Sequence, residues 1–256
     1  MDLALTPAPR GTVLAALAAV RPPLAVVAEP ECLAAFETDA YIQVRETPLA
    51  AVLPESEADV VALIGALAPI GVPVVTRGAG TGISGGAIPH PDGVLAVLTR
   101  LRAIIGIDPA ARIAVVEPGV PNARVSEAAR PAGLHFAPDP SSQVVSTIGG
   151  NIAENAGGVH CLKYGLTVHN VLGVRLVDGE GDLLEIGGEA LDAPGYDLLA
   201  VVTGSEGNLG LITRATLRLL PRPEATETVL AAFDTVKAGA EAVSYTHLTL
   251  PTSDLV

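Results

Sequence analysis

The stretch Val72–Pro89, VPVVTRGAGTGISGGAIP, constrains this chain more than any other. It opens as a β-branched apolar run, Val72–Thr76, interrupted only by Pro73. It then becomes a loop in which Gly78, Gly80, Gly82, Gly85 and Gly86 fall within nine residues, with Arg77, Thr81 and Ser84 among them. Glycine reaches positive φ and lets a backbone come close to a ligand, at an entropic cost that an ordinary connector has no reason to bear. Such a run can turn several N–H groups towards one point and make a nest for an anion, above all a phosphate or pyrophosphate. The bland alternative is a flexible glycine linker.

The flanks test what kind of cradle this is. Ala51–Leu53 reads as a short strand ending at Pro54. Ser56–Pro69 reads as a helix with Ser56 as N-cap and Val60, Leu63, Ile64 and Leu67 at helical spacing, and Val72–Thr76 as the returning strand. Val94–Leu98 is the next strand. Gly80–Gly85 matches GxGxxG, the fingerprint of nicotinamide-cofactor folds. That fingerprint needs a helix opening at the third glycine and then a strand ending in Asp or Glu about 20 residues on. Pro89 and Pro91 stand where the helix should run, and the next strand ends at Thr99-Arg100. A P-loop needs Lys-Ser/Thr after its glycines, and this loop holds no lysine. The context rejects both.

A second unit follows. Ile113–Val116 reads as a strand and Asn122–Ala132 as a helix closed by Gly133. Pro138–Gly158, PDPSSQVVSTIGGNIAENAGG, has little regular pattern and is a second loop of the same kind. Ser141, Ser142, Ser146 and Thr147 offer hydroxyls, and Asn151 and Asn155 offer amides. Gly149, Gly150, Gly157 and Gly158 permit close approach. Val168–Val177 and Leu183–Ile186 read as a hairpin, and Leu211–Leu220 as a half-buried strand entered from Gly204–Gly210, GSEGNLG. Thr226–Phe233 reads as a strand before a helix that starts at Val236. Two cradling loops, each on its own α/β unit, suit a dinucleotide clamped between two small subdomains.

Composition narrows the partners. Apolar residues make up 49% of the 256, enough for a real core, but aromatics are 3% and Trp is absent, so Ala, Val, Leu and Ile must fill it. The formal net charge of -13 opposes binding to nucleic acid or anionic lipid, because no basic field exists. An anionic ligand would rest on backbone N–H groups and one or two arginines. Cys32 and Cys161 make neither a disulfide framework nor a zinc pattern. The apolar run Val13–Val20 is too short to span a bilayer and lacks signal-peptide flanks, which points to a cytoplasmic protein. The tail Tyr245–Val256, YTHLTLPTSDLV, breaks the preceding Ala/Val/Gly/Glu idiom; it resembles a translated sequencing-adaptor tail and is expected not to be native.

Together, RGAGTGISGGAIP from Arg77, PSSQVVSTIGGNIAENAGG from Pro140, KYG from Lys163 and GSEGNLGLITRATLRL from Gly204 resemble the vanillyl-alcohol-oxidase/PCMH-type flavoproteins. Within them the match is to the FAD-linked glycolate oxidase subunit and the D-lactate and D-2-hydroxyglutarate dehydrogenases. The resemblance covers residues 35–233 or thereabouts, in the family's order and spacing. It implies an α+β, PCMH-type fold of two small α/β subdomains: an N-terminal helical segment over 1–47, FAD-binding subdomains over 48–103 and 104–223, the start of a cap domain over 224–244, and the non-native tail over 245–256. It also implies FAD, held by Arg77, Gly78, Gly80, Thr81, Gly82, Ser84 and Gly85 around the pyrophosphate. Pro140, Ser141, Ser142, Thr147, Gly149, Gly150, Asn151, Asn155, Gly157 and Gly158 would lie along pyrophosphate, ribityl chain and flavin ring, with Tyr164 and Gly165 nearby and Gly207 and Ile212 at the adenine end. Members that bind flavin covalently carry a histidine in the first loop, where this chain has Thr81, so the FAD is expected to be non-covalent.

The implied chemistry is hydride transfer from a D-2-hydroxy acid, glycolate or D-lactate, to flavin N5, with the cofactor carrying the redox step. In the family the catalytic base, the substrate's cation and a histidine-rich metal motif lie in the cap and C-terminal segment. No HPxGDGNxH-like sequence is present here, so no catalytic or metal residue is expected within the chain. Redox partner subunits, and through them attachment to the inner membrane, are compatible with this reading. Two alternatives stay open: an alditol or sugar-lactone oxidase of the same superfamily, and a non-catalytic flavin-binding partner subunit.

Overall fold

The computed structural model describes residues 7–190, 194–225 and 227–249. The chain divides into two compact units, Met1–Arg222 and Pro223–Val256.

The first sheet of the larger unit grows around one helix. Helix α1 (Arg10–Ala19) precedes strand β1 (Val26–Val27) and the short helix α2 (Pro30–Leu33). Then come β2 (Ala50–Val52), α3 (Glu57–Leu67), β3 (Val74–Arg77) and β4 (Val94–Val97). Ser56 caps α3 as expected, accepting from the Asp59 N–H, while the Asp59 carboxylate returns to the Ser56 N–H. The strands lie in the order β1-β2-β4-β3, with β4 parallel to both β2 and β3 and β1 antiparallel at the edge. Side chains alternate across this sheet. Ala50, Val52, Val94 and Ala96 face α1 and α3, whereas Ala51, Leu95 and Val97 face Leu33 on the other side.

The second sheet is wholly antiparallel. Strands β5 (Ile104–Asp108) and β6 (Ile113–Val116) lead to α4 (Asn122–Ala129) and β7 (Leu134–His135). Helices α5 (Ile148–Ala153) and α6 (Cys161–Tyr164) come next. They are followed by β8 (Val171–Val177), β9 (Leu183–Gly187), α7 (Leu198–Val202), β10 (Leu211–Arg218) and β11 (Leu220–Pro221). The order is β5-β6-β10-β8-β9, and β11 pairs with β7 apart from it. Val125 and Ala129 of α4 and Ile148 and Ile152 of α5 pack with Ala114, Val116, Ala215 and Leu217 of the sheet. The small alanines let the helices sit close, which suits a core poor in aromatics.

Helix α3 joins the two sheets. Its buried Val60, Leu63, Ile64 and Leu67 share one cluster with the first sheet and with Val177 and Leu211 of the second. At its first turn Glu57 pairs with Arg175 at 3.2 Å and accepts from Thr213 Oγ1 at 2.6 Å, binding the helix to β8 and β10.

The sequence reading missed β5, β1, α5, α6 and α7, all short or carried on glycine-rich or unpatterned stretches. The segment before residue 48 supplies strand β1 as well as helices. In the smaller unit Thr226 lies outside the described residues, and 227–233 form no strand, contrary to expectation. Val229 and Leu230 are almost fully exposed there, and the described residues of that unit contain no strand for them to pair with. Helix α8 (Val236–Thr249) runs across the Ser244-Tyr245 junction, and the rest of the tail lies outside the described residues.

Truncating Leu63 removes a fully buried side chain from the cluster that bridges the sheets. Leu63→Ala should lower the unfolding free energy by about 2–5 kcal/mol. Ser56→Ala removes only the cap and should cost about 0.5–2 kcal/mol. Denaturant midpoints of the two variants check the order.

Candidate cofactor site

The first glycine loop leaves the first sheet at the end of β3, and the second loop carries α5 against the second sheet. They meet where Gly78 faces Thr147, so closely that a Cβ on Gly78 would overlap the threonine hydroxyl. A third segment, Ser205–Gly210, enters β10 and is tied to α5: the Gly204 N–H donates to Ile152 O at 2.8 Å and the Glu206 N–H to Ala153 O at 2.9 Å. The three segments enclose a cavity of about 450 Å³, within the usual range for a small-molecule site.

Of the first-loop residues expected at a cofactor, Arg77, Gly78, Gly80, Thr81, Gly82 and Ser84 line this cavity. From the second loop, Pro140, Ser141, Ser142, Thr147, Gly149, Gly150, Asn151, Asn155 and Gly157 do so, and Gly207 and Ile212 join from the third segment. Gly85, Gly158, Tyr164 and Gly165 do not line it. Gly85 turns towards Ile88 and Tyr41, Gly158 is pressed on Asp139, and Gly165 backs onto the His169 ring. The Tyr164 ring meets His135 edge-on, with centroids 5.8 Å apart.

Several lining side chains are already committed to the protein. The Arg77 guanidinium donates to the Thr38 carbonyl at 2.7 Å and leans on the buried Asp39. Burial pushes its pKa down, and Asp39 opposes that shift. Arg77 also fixes the loop's shape: Gly80 has φ +69°, and a Cβ there would overlap the guanidinium, so only glycine suits the position. Thr147 caps α5, Asn151 donates to Asn122 Oδ1 at 2.8 Å, and Asn155 Oδ1 accepts from the Val168 N–H at 3.0 Å.

What remains open is mostly backbone. No N–H group of residues 79–86 has an acceptor among the described residues. The buried Ser146 hydroxyl, which lines the cavity, also lacks a partner. Buried polar groups rarely go unsatisfied, so the Ser146 hydroxyl marks a place where a ligand's oxygen belongs; the amides of 79–86, half-buried or exposed, are free to donate. Sequence reasoning missed two carboxylates on the wall, Glu154 and Glu206. Glu154 sits between the expected contacts Asn151 and Asn155, but a carboxylate runs against the logic of an anion nest. Its pKa is raised, by burial first and then by Glu206 and Asp39, with a Ser84 hydrogen bond opposing.

Comparison with known proteins identifies the family. The pattern of the FAD binding domain matches residues 48–187, more than half of the chain. The chain belongs to the PCMH-type FAD-binding family. It is 49% identical over 243 residues to the glycolate oxidase subunit GlcD of Escherichia coli K12, covering 95% of this chain and 49% of that one. It is 41% identical over 152 residues to a D-lactate dehydrogenase of Archaeoglobus fulgidus, covering 59% of this chain and 34% of that one. The chain thus spans about half the length, or less, of these curated relatives. Among solved structures, an alkyldihydroxyacetonephosphate synthase superposes with a TM-score of 0.73 at 23% identity, over 85% of this chain and 41% of the other, a likeness of fold.

FAD is the cofactor of this family, and the cavity suits it. A diphosphate needs hydrogen-bond donors, and the N–H groups of residues 79–86 and the buried Ser146 hydroxyl have no partner among the described residues. A Cβ on Gly82 would meet only the Glu154 carboxylate, at an ordinary 3.5 Å. Gly82→Val should therefore leave the FAD-free melting temperature within about 2 °C. It should weaken FAD binding at least about tenfold, or about 1.4 kcal/mol, by filling ligand space. Fluorescence titration with FAD checks this, and unchanged affinity would show that the loop faces elsewhere.

Proposed function

We infer that this chain is the FAD-binding part of an oxidoreductase that oxidises a D-2-hydroxy acid, with glycolate and D-lactate as the leading substrates. The observation that carries the reading is the cavity joined by three glycine-rich segments, in a chain whose relatives are named for glycolate oxidation and D-lactate dehydrogenation. When bound, FAD supplies the two-electron acceptor that oxidation of an alcohol to a carbonyl requires.

The residues assigned to FAD are those that line the cavity. The open amides of 79–86 hold the diphosphate, Arg77 keeps their loop in shape, and Thr147 and Asn151 fix the second loop from behind. Residues 48–103 and 104–223 act as the two FAD-binding subdomains, and 224–244 begin a cap. FAD is held without a covalent bond: the first loop carries Thr81 where covalent relatives have histidine, and among the described residues no histidine, cysteine or tyrosine lines the cavity. Among the described residues the only cation on the wall is Arg77, which donates to the Thr38 carbonyl and feels the charge of Asp39. The cation for the substrate carboxylate and the base for its hydroxyl are therefore assigned to parts of the full-length protein outside this chain.

A redox partner is part of the reading, since the E. coli relative is named as a subunit. No described helix is long and apolar enough to cross a membrane, and the protein is assigned to the cytoplasm.

Incubated with FAD and desalted, the purified 256-residue chain should stay yellow. Acid precipitation should then release all the flavin to the supernatant. Colour left in the pellet would mean a covalent link, and a colourless desalted protein would overturn the cofactor assignment. Anaerobic glycolate or D-lactate should bleach the flavin of the full-length gene product and leave that of this chain oxidised.

A further inference from the structure

The cavity contains a charge conflict. Glu154 Oε1 lies 2.8 Å from the point a Cβ on Gly86 would occupy, and Glu206 Oε2 lies 3.1 Å from the same point. The two carboxylates therefore converge on the glycine loop whose open amides face the diphosphate. Glu154 stands at the C-terminal end of α5, and the groups acting on it come from every segment around it. Glu206 comes from the stretch before β10, Asp39 from the stretch after α2, and Ser84 from the first glycine loop. Asp39 is buried and accepts from the Tyr41 N–H at 2.7 Å. Arg77, the cation of that loop, donates to the Thr38 carbonyl and feels the charge of Asp39, and it is not among the groups acting on Glu154. A diphosphate would add two negative charges to a wall that already carries two carboxylates, with Asp39 behind them, against one guanidinium.

We propose that Glu154 holds FAD as the neutral acid, so that loading the cofactor takes up one proton and leaves an O–H donor on the cavity wall. This rests on the FAD assignment above and adds a residue to it. Burial has already moved Glu154 towards the neutral form. The ligand's charge acts in the same direction. The proton affinity of Glu154 is then higher in the complex than in the free chain. Binding is tightest below the free-chain pKa and weakens as pH rises from that value to the pKa of the complex. The limiting slope for one proton is about tenfold in Kd per pH unit.

The test is FAD titration of the 256-residue chain by flavin fluorescence from pH 5 to pH 9, with calorimetry at one pH in two buffers of different ionisation enthalpy. Wild type should show the sloping Kd and the uptake of about one proton. Glu154→Gln, a permanent neutral donor, should bind with no slope, take up no proton and exceed wild type in affinity at the alkaline end. Glu154→Ala should also lose the slope but bind more weakly than Glu154→Gln, for want of the donor. An equal slope in wild type and Glu154→Gln overturns the proposal, as does zero proton uptake by wild type, a result that needs no variant to fold. A slope abolished by Glu206→Gln but kept in Glu154→Gln assigns the proton to Glu206 and overturns it too. Absence of FAD binding by every form at every pH would instead refute the cofactor assignment on which it rests.

Discussion

Everything in the larger unit depends on one helix being wanted by two sheets. The apolar face of α3 carries Val60, Leu63, Ile64 and Leu67, and it meets the mixed sheet on one side and Val177 and Leu211 of the antiparallel sheet on the other. Burying such a stripe is the main favourable contribution that so short a helix can make. Glu57 adds direction to that attraction: its contacts with Arg175 and Thr213 admit only one orientation of the helix across β8 and β10. Because the sheets are fixed by α3, the loops springing from them are fixed too. The close approach of Gly78 to Thr147 follows from this packing.

The helix and its strands were legible because their signals are local. Ser56 followed by Asp59 and an apolar spacing of three and four residues is a cap and a face, and Gly133 after Ala132 is a stop; the structure has each in place. What escaped was order imposed from outside. Strand β5 exists because β6 offers it a ladder, and α5 is a short helix with glycines at Gly149 and Gly150 that stands because Ile148 and Ile152 are buried on β10. The converse error is the strand expected over Thr226–Phe233: its described residues, 227–233, form none, and Val229 and Leu230 stand exposed. Propensity proposes a strand, but only a partner makes one.

The site was legible to the same degree and for the same reason. Glycines crowded into two loops announced a backbone cradle, and most of those residues line the cavity. Side-chain roles were harder to read. Arg77, Thr147, Asn151 and Asn155 have the chemistry of ligand contacts, yet each spends its hydrogen bonds on the protein. Sequence shows what a side chain can do and not which neighbour reaches it first. The wall carboxylates went unseen because an acid in an anion site contradicts the simplest electrostatic expectation, which treats its charge as fixed.

The commitment of Arg77 to Thr38 and Asp39 has a wider consequence. An anion held by a guanidinium is recognised by a flexible arm, and its affinity falls as salt screens the pair. In the function proposed here the holding groups are the peptide dipoles of a loop, and Arg77, the cation on the wall among the described residues, serves as a brace. Recognition of this kind is a property of shape more than of charge. It leaves the surface free to be strongly acidic, as this chain is, without turning its own cofactor away.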